Sequence, residues 1–216
     1  PVAHSFPTRR SSDLSHDGRL YAVDPRGRER WSYDAAGKIW TTPAVARDGT
    51  VYFGSDADRL VALTSGGSER WVFTTDQPAP PGESVEAGRY DVDTSPLLLP
   101  DGTVVFGCHT NLYAVRPDGG LRWTFEAGVG RAKIFSSPAG GEGAIYFGTQ
   151  GDFFFALSQS AAVLWNLETG GDNDSTPAMG DDGTVYFGSD DGRVRAVAPG
   201  GTPRWAADLG APIRAP

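Results

Sequence analysis

Nucleophilic or proton-transfer chemistry at neutral pH would fall first to four side chains. The chain holds three histidines, His4, His16 and His109, and one cysteine, Cys108. A lone thiol forms no internal disulfide and builds no thiolate metal site, because such sites take two or more Cys. His109 follows Cys108 directly, and neither has an acid or nucleophile at a repeated spacing. No Ser–His–Asp order and no phosphate-cradling glycine loop is legible. Cys108 reads as a buried small apolar residue of a strand, and His109 as a polar residue at a strand end. Carboxylates come closer to a pattern: Asp56 with Asp58, Asp172 with Asp174, and Asp181 with Asp182 suggest calcium. A calcium loop needs a longer ladder of ligands ending in Glu, which none of these has. Turn formation beside Gly explains most of them. The sequence therefore assigns no catalytic, cofactor-binding or metal-binding residue.

Composition narrows the classes further. The chain has 216 residues and a formal charge of -8, with 39% hydrophobic and 11% aromatic residues. That is enough apolar material for a core and too acidic for a surface that binds phosphate backbones. No run of eighteen apolar residues occurs, so no transmembrane segment is predicted. Residues 4–14, HSFPTRRSSDL, resemble the translation of a sequencing-adapter primer. Residues 1–14 are accordingly read as a disordered artefact, which places the true N-terminus and any signal peptide outside this sequence. Without them the charge is -9.

A repeat organises the rest. Trp31, Trp71, Trp123, Trp165 and Trp205 recur at intervals of 40 to 52 residues. Nine residues before each stands an alanine: Ala22, Ala62, Ala114, Ala156 and Ala196. Phe-Gly recurs at Phe53-Gly54, Phe106-Gly107, Phe147-Gly148 and Phe187-Gly188. Upstream of these come Pro43, Pro96, Pro138 and Pro177, each preceded by a pair of Ser or Thr residues. Periods of this length mean stacked supersecondary units.

Each unit divides into four short extended pieces, in the last unit Thr176–Gly180, Thr184–Ser189, Arg193–Ala198 and Pro203–Ala207. Asp48-Gly49, Asp101-Gly102 and Asp182-Gly183 supply hairpin turns between the first and second pieces. Four antiparallel strands in about 40 residues describe a propeller blade, and no stretch carries helical periodicity. The prediction is an all-β, incomplete β-propeller of four-stranded antiparallel blades. Its full blades cover approximately 41–75, 94–128, 136–170 and 175–209, with partial blades at 15–36 and 211–216. These make an arc with open ends. Closure as five blades is the alternative, although its shared blade would lack a second strand. The alanines are expected to leave room for an indole of the adjacent blade.

The Ser/Thr-Ser/Thr-Pro, Phe-Gly and Ala–Trp pattern resembles the PQQ-like, or quinoprotein-like, propeller repeat from residue 15 to about 212. The resemblance implies that Trp31, Trp71, Trp123, Trp165 and Trp205 dock successive blades. They would do so with the five alanines and with Gly27, Gly67, Gly119 and Gly201. Ala161 stands where the fourth glycine would be. An Asp two residues after the alanine survives only as Asp24; Thr64, Arg116, Ser158 and Ala198 replace it elsewhere.

Two functions follow from that resemblance. One is a non-catalytic scaffold with a protein partner and no cofactor, similar to the barrel-assembly lipoprotein and to extracellular sensor propellers. The other is a fragment of a PQQ-dependent alcohol or sugar dehydrogenase, which would hold PQQ with Ca2+. The absence of a Cys-Cys pair and of an identifiable base weakens the second. The family's habit implies an extracytoplasmic setting, in the periplasm or at the cell surface. An insertion of about twelve residues between Trp71 and Trp123, spanning Asp76–Asp93, carries Arg89 and Tyr90 as candidate partner contacts. Phe153-Phe154-Phe155 is read as core packing, with Phe154 on one sheet face and its two neighbours on the other.

Overall fold

In the computed structural model the described residues are 17–75, 91–128, 132–141 and 143–214. Among them stand eighteen strands and no helix. Strands β1 (Arg19–Val23) and β2 (Glu29–Asp34) pair alone. Blade I follows with β3 (Ala44–Val45), β4 (Val51–Ser55), β5 (Arg59–Leu63) and β6 (Glu69–Thr74). Blade II has β7 (Leu97–Leu98), β8 (Val104–Cys108), β9 (Asn111–Val115) and β10 (Leu121–Glu126). Blade III has β11 (Ala139–Gly141), β12 (Ala144–Gly148), β13 (Phe153–Ser158) and β14 (Val163–Glu168). Blade IV closes the series with β15 (Ala178–Met179), β16 (Val185–Gly188), β17 (Arg193–Val197) and β18 (Pro203–Asp208). Each blade is a four-stranded meander in sequence order, antiparallel throughout. The sheets do not close on one another, as the arc reading predicts.

The first strand of each blade is shorter than the sequence suggests. It starts directly after Pro43, Pro96, Pro138 or Pro177, whose missing N–H ends the ladder on that side. The hydroxyl pairs before those prolines then take over. Thr41 Oγ1 accepts from Gly54 N at 2.9 Å, Thr94 Oγ1 from Gly107 N at 2.6 Å, and Ser175 Oγ from Gly188 N at 2.9 Å. This clips the inner segments of blades I, II and IV to the Phe-Gly peptide of their own blade, whereas in blade III Ser136 Oγ donates to Ser175 O of blade IV at 2.9 Å. The second hydroxyl of the pair links neighbouring blades: Ser95 Oγ accepts from Thr42 N, and Ser137 Oγ from Ser95 N, both at 2.9 Å.

The core lies between blades. One apolar cluster joins Tyr52, Leu60 and Ala62 of blade I to Val104, Phe106 and Tyr113 of blade II. A second joins Val105, Leu112 and Ala114 to Ile145, Phe147 and Leu157. A third joins Tyr146 and Phe154 to Val185, Phe187 and Val197. Phe154 stacks on Phe187 with ring centroids 3.7 Å apart, while Phe155 belongs to the junction on the other side of its sheet. The alternation read in the Phe triplet is thus realised, with Phe153 left near the surface.

Tryptophan docking takes one form at four junctions. Trp31 Nε1–H donates to Ser65 O at 2.9 Å, Trp71 to Pro117 O at 2.8 Å, Trp123 to Gln159 O at 2.9 Å and Trp165 to Pro199 O at 2.7 Å. Each acceptor sits in the turn before the outer strand of the following blade. The indole covers the glycine of that turn, so a Cβ on Gly67 would lie 2.6 Å from Trp31, one on Gly119 2.9 Å from Trp71, and one on Gly201 2.7 Å from Trp165. Thr64, Ser158 and Asp24 side chains accept backbone N–H groups of their turns, doing one job with different chemistry.

One expectation is corrected, and two docking positions find no partner among the described residues. Among the described residues no turn covers Trp205, which packs on Tyr186 of its own blade and is 49% exposed. Among the described residues no indole covers Gly27, and a Cβ there would meet none of their atoms within 4 Å. The alanines do not receive a neighbour's ring. Ala22, Ala62, Ala114, Ala156 and Ala196 lie in register opposite the tryptophan of their own blade, next to a register shift. A small residue there lets the indole lean toward the next blade.

Ala161 holds φ at 66° where the equivalent turns have glycine. A left-handed backbone costs an alanine about 1 kcal/mol more than a glycine. Ala161→Gly should therefore raise stability by about 0.5–1 kcal/mol, read as a higher urea midpoint at unchanged slope.

Candidate functional site

The loops between the second and third strands and the connections between blades meet on one face, at the inner ends of the blades. Their backbones are pinned together. Asp56 N donates to Lys38 O at 3.0 Å, Gln150 N to Lys133 O at 2.8 Å and Asp190 N to Asp172 O at 2.8 Å. Val92, Ile134, Asn173 and Ile213 each donate their N–H to the end of a second strand or its turn and sit over the Phe-Gly glycine. This leaves the residues before and after them on the rim: Asp91 and Asp93, Lys133 and Phe135, Asp172 and Asp174, Pro212 and Arg214. Asp58 and Asp152 hold positive φ in the adjoining turns, a conformation Asp tolerates better than most.

The rim is acidic, and its carboxylates are unequally compensated. At the last blade Arg214 Nε lies 2.9 Å from both Asp190 oxygens, and Gln150 Nε2 donates to Asp174 Oδ2 at 3.3 Å. At the junction of blades I and II three carboxylates converge instead. Asp56, Asp91 and Asp93 each offer an oxygen within 4.8 Å of the others, and all three side chains are half-buried. Oδ1 of Asp91 and of Asp93 is buried without a hydrogen-bond partner. Burial, then the neighbouring Asp56 charge, pushes Asp91 up to about 7 and Asp93 up to about 6. Burial also raises Asp58, Asp172 and Asp174.

The carboxylates thus group differently from the pairs read along the chain. Asp56 meets Asp91 and Asp93, two residues the sequence presented only as the end of an insertion. The available signal was positional: Asp91 and Asp93 hold the places of Asp172 and Asp174 two steps around the repeat. Three carboxylate oxygens are hard donors of the kind Ca2+ takes, yet they supply half or fewer of the six to eight oxygens it needs. Arg89 and Tyr90 lie outside the described residues, as do residues 1–16 and the centre of the insertion. Cys108 is buried, and desolvation pushes its thiol up to about 12, which removes it as a nucleophile at neutral pH. His109 follows the end of β8 in a turn at φ 51°, and its carbonyl accepts from Ile134 N at 2.7 Å.

The carboxyl triad gives stability a defined pH dependence. Unfolded, Asp91 and Asp93 ionise near 4; folded, they ionise near 7 and 6. A raised carboxyl favours the folded state while protonated in it, so this contribution is largest below about pH 4. It is lost as pH rises through 6 to 7. Both groups are partly solvated, which reduces the effect to roughly 1 kcal/mol. The melting temperature should be about 2–4 °C higher at pH 5 than at pH 8, and Asp91→Asn should flatten that slope. A slope unchanged in Asp91→Asn would remove the triad as its source.

Comparison with known proteins places this architecture. The family model described as "Outer membrane protein assembly factor BamB" matches residues 16–82 and 84–215. No curated protein matches the chain. BamB from Moraxella catarrhalis superposes with a TM-score of 0.72 at 19% identity, over 90% of this chain and 57% of that one. A catalytically inactive H270A virginiamycin B lyase from Staphylococcus aureus, solved with quinupristin, gives 0.68 at 16% identity, over 91% and 65%. The Pan2 WD40 domain from Neurospora crassa gives 0.59 at 13% identity, over 80% and 50%. The chain therefore spans between half and two thirds of these proteins, and at such identities the likeness is one of fold.

Proposed function

The chain belongs to the family described as outer membrane protein assembly factor BamB, and from that membership we propose that it is a non-catalytic scaffold presenting its acidic rim to a protein partner. The rim carries this reading. Its carboxylates sit on loops pinned to blades that four docked indoles hold in place, so the surface is rigid before a partner arrives. Preorganised charge favours association rate and specificity, and it selects a partner segment rich in Lys or Arg. The same negative field disfavours nucleic acid. An extracytoplasmic setting belongs to the proposal and is supported by the family. No helix among the described residues is long and apolar enough to cross a membrane.

A photo-crosslinking residue placed at Gln150, on the rim, should trap one defined protein in a Gram-negative cell envelope. The same residue at Arg122, on an outer strand, should not. Trapping of equal strength from both positions, or from neither, would remove the rim as the contact surface.

The quinoprotein reading draws on one observation, the oxygen set of Asp56, Asp91 and Asp93, which would hold part of a Ca2+ shell. Bound PQQ would supply the two-electron acceptor. With PQQ and CaCl2 added, alcohol- or glucose-dependent dye reduction should stay at background. Saturable reduction lost in Asp93→Asn would replace the scaffold with a dehydrogenase.

A further inference from the structure

The strand pair that begins with the Phe triplet keeps an acid and lacks the cation that its counterparts hold. The first residue of the third strand and the last of the fourth stand opposite each other in each blade. They are Arg59 and Thr74 in blade I, Asn111 and Glu126 in blade II, Phe153 and Glu168 in blade III, and Arg193 and Asp208 in blade IV. Arg19 and Asp34 hold the same places in the lone pair of β1 and β2. Where Arg faces Asp the two associate: Arg19 Nη1 lies 3.8 Å from Asp34 Oδ2, and Arg193 Nε lies 3.8 Å from Asp208 Oδ2. In blade III an aromatic ring replaces the arginine and the carboxylate stays.

Both members of that pair reach the surface. Phe153 is 36% exposed, and Glu168 is exposed at the end of β14. Directly opposed residues of an antiparallel ladder share one face of the sheet, with Cβ atoms about 4.5–5.5 Å apart, so ring and carboxylate border one patch. Among the described residues no cation pairs with Glu168. The Phe153 ring is backed from within the blade. Its centroid lies 6.1 Å from that of Phe155, which stacks on Phe147 at 5.4 Å. A ring seated on a stacked column keeps its place before a ligand arrives. Blade II offers no such surface, because Asn111 is buried and Glu126 has no ring beside it. Blade III lies inside the described arc, with packed junctions to blades II and IV.

A planar cation suits a ring beside a carboxylate. A guanidinium lies flat on the aromatic face and turns its fork of N–H donors to the acid, a geometry an ammonium does not reproduce. We propose that Phe153 and Glu168 form an anchor site for one arginine side chain of a protein partner, which supplies in trans the cation that Arg19 and Arg193 supply in cis. Charge complementarity names the occupant, since the acid of a recurring ion pair is present and its arginine is not. The site presupposes the scaffold reading and its Lys- or Arg-rich partner, and it adds a contact that selects Arg over Lys. It adjoins the rim: Phe153 stands three residues after Gln150, so a segment that crosses the rim there meets the ring.

Amide NMR of the isotope-labelled 216-residue chain, titrated with N-acetyl-arginine amide, tests the site. The Phe153 and Glu168 signals should shift saturably. Glu168→Gln and Phe153→Leu should each weaken that response at least about threefold. Phe153→Arg, the residue found at three equivalent positions, should abolish it and leave the circular dichroism unchanged. N-acetyl-lysine amide should bind more weakly than the arginine compound. Shifts that do not saturate overturn the site, as does an equal response in Glu168→Gln or from the lysine compound. In cells, trapping from the photo-crosslinking residue at Gln150 should fall at least about threefold in Glu168→Gln. Trapping at the wild-type yield in that variant overturns the arginine anchor and leaves the rim reading standing. No trapping from Gln150 in the otherwise wild-type chain overturns the rim reading, and the anchor with it.

Discussion

Trp123→Ala should cost about 3–5 kcal/mol, while the same change at Trp205 should cost less than about 1 kcal/mol. Both indoles sit opposite an alanine, in outer strands of the same register. They differ in what lies beyond. Trp123 packs against the cluster formed by Val105, Leu112, Ile145 and Leu157 and donates to Gln159 O in blade III. Its removal leaves a cavity at a junction whose backbone is tied on both sides, which is the condition for a large truncation penalty. It also strands a carbonyl, worth a further 1 kcal/mol or so. Trp205 packs on Tyr186 but is 49% exposed, so its removal opens no enclosed cavity among the described residues. The total stability of a domain is about 5–15 kcal/mol. The loss at Trp123 should therefore uncouple blades I–II from III–IV and split the unfolding transition, as linear arrays do when an internal interface weakens. Urea denaturation followed by circular dichroism measures both effects. Equal costs at the two sites would show that stability resides within the blades and that docking contributes little.

The contrast explains why the sequence told so much about the fold and less about the face that works. Docking repeats because the same local need recurs at each junction, so Trp71 and Gly119, or Trp165 and Gly201, stand out by spacing alone. What the repeat could not say was how its members pair. Ala62 and Trp71 are read as partners across blades until the ladder places them opposite each other within one sheet. The hydroxyl pairs were visible and unexplained, since the N–H groups they accept from, Gly54 N for Thr41 and the preceding blade's Thr42 N for Ser95, are remote in sequence. The rim was hidden for the same reason. Asp56 lies 35 residues before Asp91, across two strands and most of the insertion. Chain neighbours such as Asp56 and Asp58 suggest a pair, while the fold brings Asp56 to residues that the hairpin turns leave far away.

Glycine in the Phe-Gly pairs is a second recurrent need, and it should be the most sensitive small-residue position in the chain. Gly148 is not in the left-handed region, so alanine is permitted there by the backbone. The obstacle is steric. A Cβ on Gly148 would overlap the carbonyl oxygen and Cβ of Asn173 and lie 3.0 Å from the Asn173 carbonyl carbon. That segment cannot easily retreat. Asn173 N donates to Thr149 O at 3.0 Å, and its buried side chain donates to Thr169 Oγ1 at 2.8 Å and Gly171 O at 3.2 Å. Gly148→Ala should cost about 3 kcal/mol, at the upper end for overpacking, and lower the melting temperature by about 6–12 °C. Gly107→Ala should cost less. There the Cβ would press on the Ile134 side chain, 2.6 Å from its Cγ2, and a side chain yields where a main chain does not. Ile134→Ala should then recover part of the loss at Gly107, whereas truncating Asn173 should recover none at Gly148, because the main chain remains in the way. A double-mutant cycle at each pair measures this. Rescue at Gly148 by Asn173→Ala would place the conflict in the side chain, and the glycine would no longer be explained by the passage of a backbone over it.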